Sequence, residues 1–442
     1  MPRFRLIASL ALATTLAGCT ALLPSQTASP AASSVVATPL PTFVQSASPV
    51  VSASPPGSAA PTSTPTLEPS VSVEPSISAP PIASPSMTNP WLQLRGDRGL
   101  GHVLRLQDVT AVNGRYALVA GLGDNWFEEA DTVLTSDNGI DWTQQSLPGI
   151  DTWMWLYTFV HGAPEFVVVA GDNNNATSVL DVSSDGTQWS TQAWPFDSVD
   201  VTFGEAGSSL VALADGRTWS SSNGIDWTQS ADGPDDSILV DTQAGAAAIS
   251  DANGSSTKPS FLTADGVNWV GFGGLADMTD TDKVIASAHT STSTVLISAR
   301  DWEFSNQRRA WTFDGHVWRR SQNAPLGARN VTSTADGFVA TGICYPPGTR
   351  DPQDAEDETT IGVTWISADG DSWRLLTSDT DQWRGKEMMQ VLETDSGLAG
   401  LGSDSSLSAA ESASGTVWLW NGTQPISRAT TVDDPRTVCG SL

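Results

Sequence analysis

The sequence predicts an all-β fold: a seven-bladed β-propeller of four-stranded antiparallel blades, with six or eight blades as alternatives, preceded by a disordered tether. Three observations predict it. A seven-residue turn unit occurs six times in residues 90–442, at spacings of a propeller blade. Short apolar runs bounded by turn residues recur between the copies. Residues 1–89 have the composition of an address and a linker and lack that of a core.

The address comes first. Arg3 and Arg5 precede an apolar stretch from Leu6 to Leu16, the length of a signal-peptide core and too short to span about 30 Å of hydrocarbon. It ends in Leu16, Ala17, Gly18 and Cys19, which resembles the lipobox of bacterial lipoproteins. The resemblance implies that residues 1–18 are a signal peptide and that Cys19 carries a diacylglyceryl group. The membrane is then a partner through the lipid anchor, since several acyl chains hold a protein where one does not. The folded part is expected outside the cytoplasm, at the cell surface or in the periplasm. A plain signal peptide with a chance cysteine is the alternative.

Residues 19–89 follow as a Pro/Ala/Ser/Thr-rich linker behind the lipidated Cys19. From Thr20 to Asn89 there is no Lys, Arg or Asp, only Glu68 and Glu74 are charged, and Phe43 is the sole aromatic. Such a stretch buries too little apolar surface to offset the entropy of ordering it. Its prolines favour extended polyproline II, giving a reach on the order of 100 to 200 Å. A glycosylated stalk fits the same composition.

Residues 90–442 are too long for one ordinary core unless that core repeats. The repeat reads Ser/Thr, any, Asp/Asn, Gly, any, any, Trp. It runs Ser136, Asn138, Gly139, Trp142; Ser183, Asp185, Gly186, Trp189; Ser221, Asn223, Gly224, Trp227; Thr263, Asp265, Gly266, Trp269; Thr312, Asp314, Gly315, Trp318; and Ser367, Asp369, Gly370, Trp373. Asp-Gly and Asn-Gly predict hairpins with type I′ turns, whose two central residues both take positive φ. The hydroxyl and the Asp/Asn side chain are expected to bond the turn backbone, and the Trp to pack under it. These residues are expected to be structural. The units resemble the Asp-box (BNR) repeats of sialidases and related propellers, and Thr135, Asp137, Gly139 and Trp142 fit the Asp-box spacing itself. A seventh, weaker unit spans Val391 to Leu401 and Thr416 to Ile426, and Trp91 to Leu94 is positioned to add a strand to the last blade and close the ring.

Cys344 and Cys439 are the pair left after Cys19, and in an exported chain they are a disulfide candidate; two separate buried thiols are the alternative. The four histidines, His102, His161, His289 and His316, are scattered, which argues against zinc. No cofactor is expected. The one candidate for a metal is Ca²⁺ at Asp351, Asp354, Glu356, Asp357 and Glu358, five oxygen-bearing acids in one loop without EF-hand spacing.

The formal charge of −28 argues against nucleic acid or any polyanion as partner. The sialidase resemblance implies an arginine triad, an Arg-Ile-Pro type motif and a Tyr/Glu nucleophile pair. The mature part has no such Arg motif, and its tyrosines are only Tyr116, Tyr157 and Tyr345. No catalytic residue is therefore assigned. A binding face is expected on the connections between second and third strands and between blades. Those connections carry Trp126, Phe127, Trp153, Trp155, Trp302, Phe304 and Tyr345, aromatic platforms of the kind that stack on sugars. The expectation is a non-catalytic binding or scaffold propeller, for a glycan or a protein partner. A glycoside hydrolase, sialidase-like or working through a carboxylate pair, is the alternative.

Overall fold

The computed structural model describes residues 91–440 apart from 95–97, 102, 123–129, 149–154, 173–176, 236, 251–257, 279–281, 301–305, 348–359, 377–379, 405–413, 422–425, 427–428, 430 and 432–433. Seven four-stranded antiparallel sheets follow one another in a ring, a seven-bladed β-propeller. Blade 1 consists of Val103–Val112, Arg115–Leu122, Ala130–Ser136 and Thr143–Gln145; blade 2 of Trp155–Phe159, Phe166–Asp172, Thr177–Ser183 and Ser190–Ala193. Blade 3 is Val201–Ala206, Ser209–Ala214, Arg217–Ser221 and Thr228–Asp232; blade 4 is Ser237–Thr242, Gly245–Ser250, Lys258–Thr263 and Val270–Leu275. Blade 5 is Lys283–His289, Thr294–Ala299, Arg309–Phe313 and Trp318–Arg320; blade 6 is Ala328–Thr334, Gly337–Cys344, Ile361–Ser367 and Arg374–Leu375. Blade 7 takes Lys386–Thr394, Gly397–Asp404 and Ser414–Trp420 from the C-terminal part and Trp91–Gln93 from just ahead of blade 1.

That last pairing closes the ring. Trp91, Leu92 and Gln93 lie antiparallel to Trp420, Leu419 and Trp418, and the Trp91 and Trp420 rings meet edge to face at 5.4 Å. It also explains why only six turn units occur. The unit joins the third and fourth strands of a blade, and in blade 7 the fourth strand arrives from elsewhere in the sequence, so no hairpin is needed there.

The second strand of every blade has an apolar middle, and the reason is the alternation of a strand between two neighbours. In blade 1, Ala117 and Val119 pack toward blade 2 while Leu118 and Ala120 pack toward blade 7. In blade 2, Val168 and Ala170 face blade 1 while Val167 and Val169 face blade 3. A strand with both faces buried reads as a continuous apolar run, and the core is a ring of such interfaces between blades.

The turn units use one geometry. In five copies the Gly amide donates to the Ser/Thr hydroxyl at 2.8–2.9 Å. In all six the Asp/Asn Oδ1 accepts from the second and third amides after it, at 2.8–3.2 Å. Only the glycine is left-handed, with φ between 71° and 90°, so these are not the expected type I′ turns. An Asp or Asn that caps the amides ahead of it stays in its ordinary backbone region, which leaves one residue to take positive φ. Type I′-like pairs with both residues left-handed do occur, at Asn113-Gly114 (52° and 78°) and Asp215-Gly216 (48° and 68°), where no hydroxyl stands two residues ahead. In blade 1 the turn uses Ser136 and Asn138, whereas Thr135 accepts from Gln145 and Asp137 pairs with Arg115.

The tryptophans pack as expected. Trp142, Trp227, Trp318 and Trp373 are buried, Trp189 and Trp269 half-buried. In three copies the indole N–H returns to the glycine carbonyl of its own unit, at 3.1 Å for Trp189 and 2.9 Å for Trp227 and Trp373. Neighbouring blades tie into the same turns: Ser230 donates to the Gly266 carbonyl, Ser321 to that of Gly370, and Arg115 to that of Asp185.

Candidate functional site

Of the aromatic residues expected at a binding face, Trp126, Phe127, Trp153, Trp302 and Phe304 lie outside the described residues, as do Cys19 and the acids Asp351, Asp354, Glu356, Asp357 and Glu358. Trp155 opens the innermost strand of blade 2. Tyr345 is buried, 8% exposed, so its ring is not an open shelf. Its backbone is instead part of a clamp. Asn306 accepts from the Tyr345 amide (2.8 Å) and donates to the carbonyls of both Tyr345 and Gly440 (2.9 Å each), while the Gly440 amide donates to Tyr345 (2.9 Å).

Cys344 and Cys439 are joined by a disulfide. Together with the Asn306 clamp it pins residues 434–440 against blade 6. That segment lines a groove of about 780 Å³ between blades 5 and 6. Arg308, Arg309 and Arg320 from blade 5 also line it, as do residues of the connection from Ser321 to Leu326 that leads to blade 6.

The groove gathers cations in an acidic chain. Arg308, Arg309, Arg320 and Arg436 line it against two carboxylates, Asp277 and Asp434. Arg309 bonds the fully buried Asp282 carboxylate at 2.5 Å and the Asp277 carbonyl at 2.7 Å. Arg436 is held through Nε and Nη2 by Asp434, at 2.9 and 3.0 Å. Arg308 is buried and donates to the carbonyls of Ala328 and Gln307; burial, then the nearby Arg329 charge, pulls its pKa down to about 10. Arg320 is exposed and lies 5.0 Å over the ring of Trp311, and among the described residues it forms no ion pair. The signal in the sequence was the pair of doublets Arg308-Arg309 and Arg319-Arg320, conspicuous where the whole chain holds 21 Lys and Arg.

A second polar group lies along the innermost strands. Asp108 of blade 1 faces His161, just past the first strand of blade 2, with Nε2 3.0 Å from both carboxylate oxygens. Its Oδ2 also accepts from the Thr158 hydroxyl (2.6 Å) and the Phe159 amide (2.8 Å). Burial works to raise the Asp108 pKa, but the His161 charge and these bonds outweigh it and hold it low. The Asp108 charge outweighs burial at His161 and lifts the imidazole to about 9, with Asp241 and Glu205 adding to the shift. Asp241 of blade 4 accepts from the Glu205 amide of blade 3 at 2.6 Å, and burial raises its pKa. The Thr202 hydroxyl accepts from the Leu239 amide across the same interface, and Thr332 donates to the Val391 carbonyl between blades 6 and 7. Among the described residues no group of three His, Cys, Asp or Glu is placed to hold a metal ion, and no helix is long and apolar enough to cross a membrane.

No protein-family model matches this chain, and no curated protein matches it. Among solved structures, a thermostable family-43 glycoside hydrolase is similar over 64% of this chain and 96% of its own, at 12% identity and a TM-score of 0.35. The β-propeller domain of the Trilobed protease from Pyrococcus furiosus is similar over 68% of this chain and 90% of its own, at 9% identity and a TM-score of 0.37. The GH74 xyloglucanase from Xanthomonas campestris is similar over 71% of this chain and 53% of its own, at 13% identity and a TM-score of 0.40. Likeness at this level assigns neither substrate nor reaction to this chain.

Proposed function

We propose that this chain is a non-catalytic binding propeller outside the cytoplasm, anchored through a lipid on Cys19 and carried on the linker of residues 19–89, with its ligand seat in the groove between blades 5 and 6. The observation that carries this reading is the groove itself: open, donor-rich, and with its Asp434 carboxylate already occupied by Arg436. A few polar groups converging in a concave site are what recognition of a small ligand or a chain end requires. Anchoring is checked by labelled-lipid incorporation that disappears in Cys19→Ser.

One observation favours a glycoside hydrolase as second reading. Asp241, whose pKa burial raises, bonds the backbone of a second acid, Glu205, and a raised carboxyl beside another acid is a pattern of acid/base work. Glycan-array binding by the purified protein, run beside a panel of fluorogenic glycosides, separates the two. Binding without turnover is expected. Turnover that vanishes in Asp241→Asn would sink the binding reading.

A further inference from the structure

Two of the four arginines in the groove between blades 5 and 6 are already matched by carboxylates. Arg309 rests on Asp282 and Arg436 on Asp434. Arg320 is different. Its guanidinium carbon lies over the Trp311 ring, 5.0 Å from the centroid, and Trp311 is itself fully buried and fastened by its indole N–H to the Ala276 carbonyl at 2.9 Å. A guanidinium held over a ring by its charge still has N–H donors to offer a ligand. An arginine held over a fixed ring loses less freedom on binding than one in open solvent, so this donor set is partly preorganised.

We propose that this groove, as the ligand seat of the binding protein proposed above, takes the carboxylate or phosphate group of a small ligand, with Arg320 as the principal contact. A planar guanidinium fork matches the two oxygens of either group.

The charge of the rest of the chain sets the size of that ligand. A net −28 repels a long polyanion over much of its length. Screening within about 8 Å at physiological salt lets a single small oxyanion respond to the local cluster alone. The groove therefore selects a compact anion and rejects nucleic acid or an extended acidic polymer.

The test is calorimetric titration of the purified full-length protein with inorganic phosphate, with galacturonate as a carboxylated sugar, and with galactose as its neutral counterpart. At least one anion is expected to bind and galactose to bind far more weakly. Phosphate alone identifies a phosphoryl ligand, and galacturonate alone a carboxylate one. Arg320→Gln is expected to weaken the anion roughly tenfold or more, the loss of one charged hydrogen bond. Arg320→Lys should recover part of that loss, because it keeps the charge without the fork. Raising NaCl from about 50 mM to about 0.5 M should weaken binding several-fold. Arg436→Gln, exposed in the C-terminal segment, supplies a second variant whose effect does not depend on the Arg320–Trp311 contact; it too should weaken the anion.

Failure of both anions to bind overturns the proposal, as does an affinity that neither Arg320→Gln nor Arg436→Gln changes. Galactose binding as well as galacturonate would leave the binding function standing and remove the anion preference. Turnover of a glycoside would instead remove the binding function itself.

Discussion

The Asp108 carboxylate of blade 1 meets His161 of blade 2 with both oxygens 3.0 Å from the imidazole Nε2, forming an ion pair across a blade interface. Because the pair raises the folded pKa of His161 from 6.5 to about 9, its contribution is complete below the unfolded value and is lost as pH rises through about 9. Calorimetry should show the melting temperature falling between about pH 7 and pH 10. His161→Gln should remove that part of the fall and lower stability at neutral pH by about 1 kcal/mol, a modest figure because the imidazole is partly exposed to solvent.

The turn units make a second pH prediction, of opposite sign. Amide donors hold Asp185 and Asp265 well below the usual carboxylate range; for Asp265 the Asn268 amide comes first. At Asp314 the Val317 amide outweighs slight burial and leaves the group at about 2. Their stabilisation is present above the unfolded pKa of about 3.9 and lost as pH falls through the folded value. Asn138 and Asn223 make the same two amide bonds without a charge. Asp265→Asn should therefore melt near the parent at pH 7 and lose less on acidification, while Asp265→Ala melts lower at both pH values.

Two glycines with nearly equal φ should respond unequally to alanine. Gly370 (φ 79°) would place its new Cβ 2.1 Å from Val295 Cγ2, across the interface with blade 5, whereas Gly114 (φ 78°) has open space. Gly114→Ala pays only for the left-handed backbone, about 1 kcal/mol. Gly370→Ala adds a clash in a packed core and should cost about 2 to 4 kcal/mol in chemical denaturation. Equal losses would show that backbone strain alone matters.

Ring closure rests on Trp91, 3% exposed and packed on Trp420. Trp91→Ala should cost about 3 to 5 kcal/mol and bare the edge of Ser414–Trp420. Light scattering on heating should show earlier aggregation than for the parent.

The Cys344–Cys439 disulfide closes a separation of 95 residues, for which chain entropy sets an upper figure of about 4 to 5 kcal/mol. Cys344→Ser with Cys439→Ser should lower stability toward that limit and make the 434–440 segment the first site cut by protease. An unchanged proteolysis pattern would show that the Asn306 clamp holds the segment alone.

The blades were legible because their causes are local. A Ser/Thr, an Asp/Asn and a Gly at fixed offsets close a turn through their own backbone, and a strand buried on both sides must be apolar throughout, as Phe166 to Ala170 is. The sequence also marked Trp91 to Leu94 as the closing strand. The backbone class of the turns was misread, because Asp-Gly in Ser183-Ser184-Asp185-Gly186 and in Ala214-Asp215-Gly216-Arg217 is the same dipeptide. The hydroxyl two residues ahead decides between them.

What the sequence by itself determined is the repeat, the blade count as a leading value, and the cysteine pair. The groove is a product of tertiary structure alone. Arg308 and Arg320 belong to blade 5, Trp365 to blade 6 and Arg436 to the C-terminal segment, and no spacing along the chain relates them. Asp108 and His161 likewise sit 53 residues apart and meet only because each blade starts beside the last. Turns are set by bonds within a few residues, whereas a site between blades exists only once the ring has closed and the disulfide has brought the end of the chain back to it.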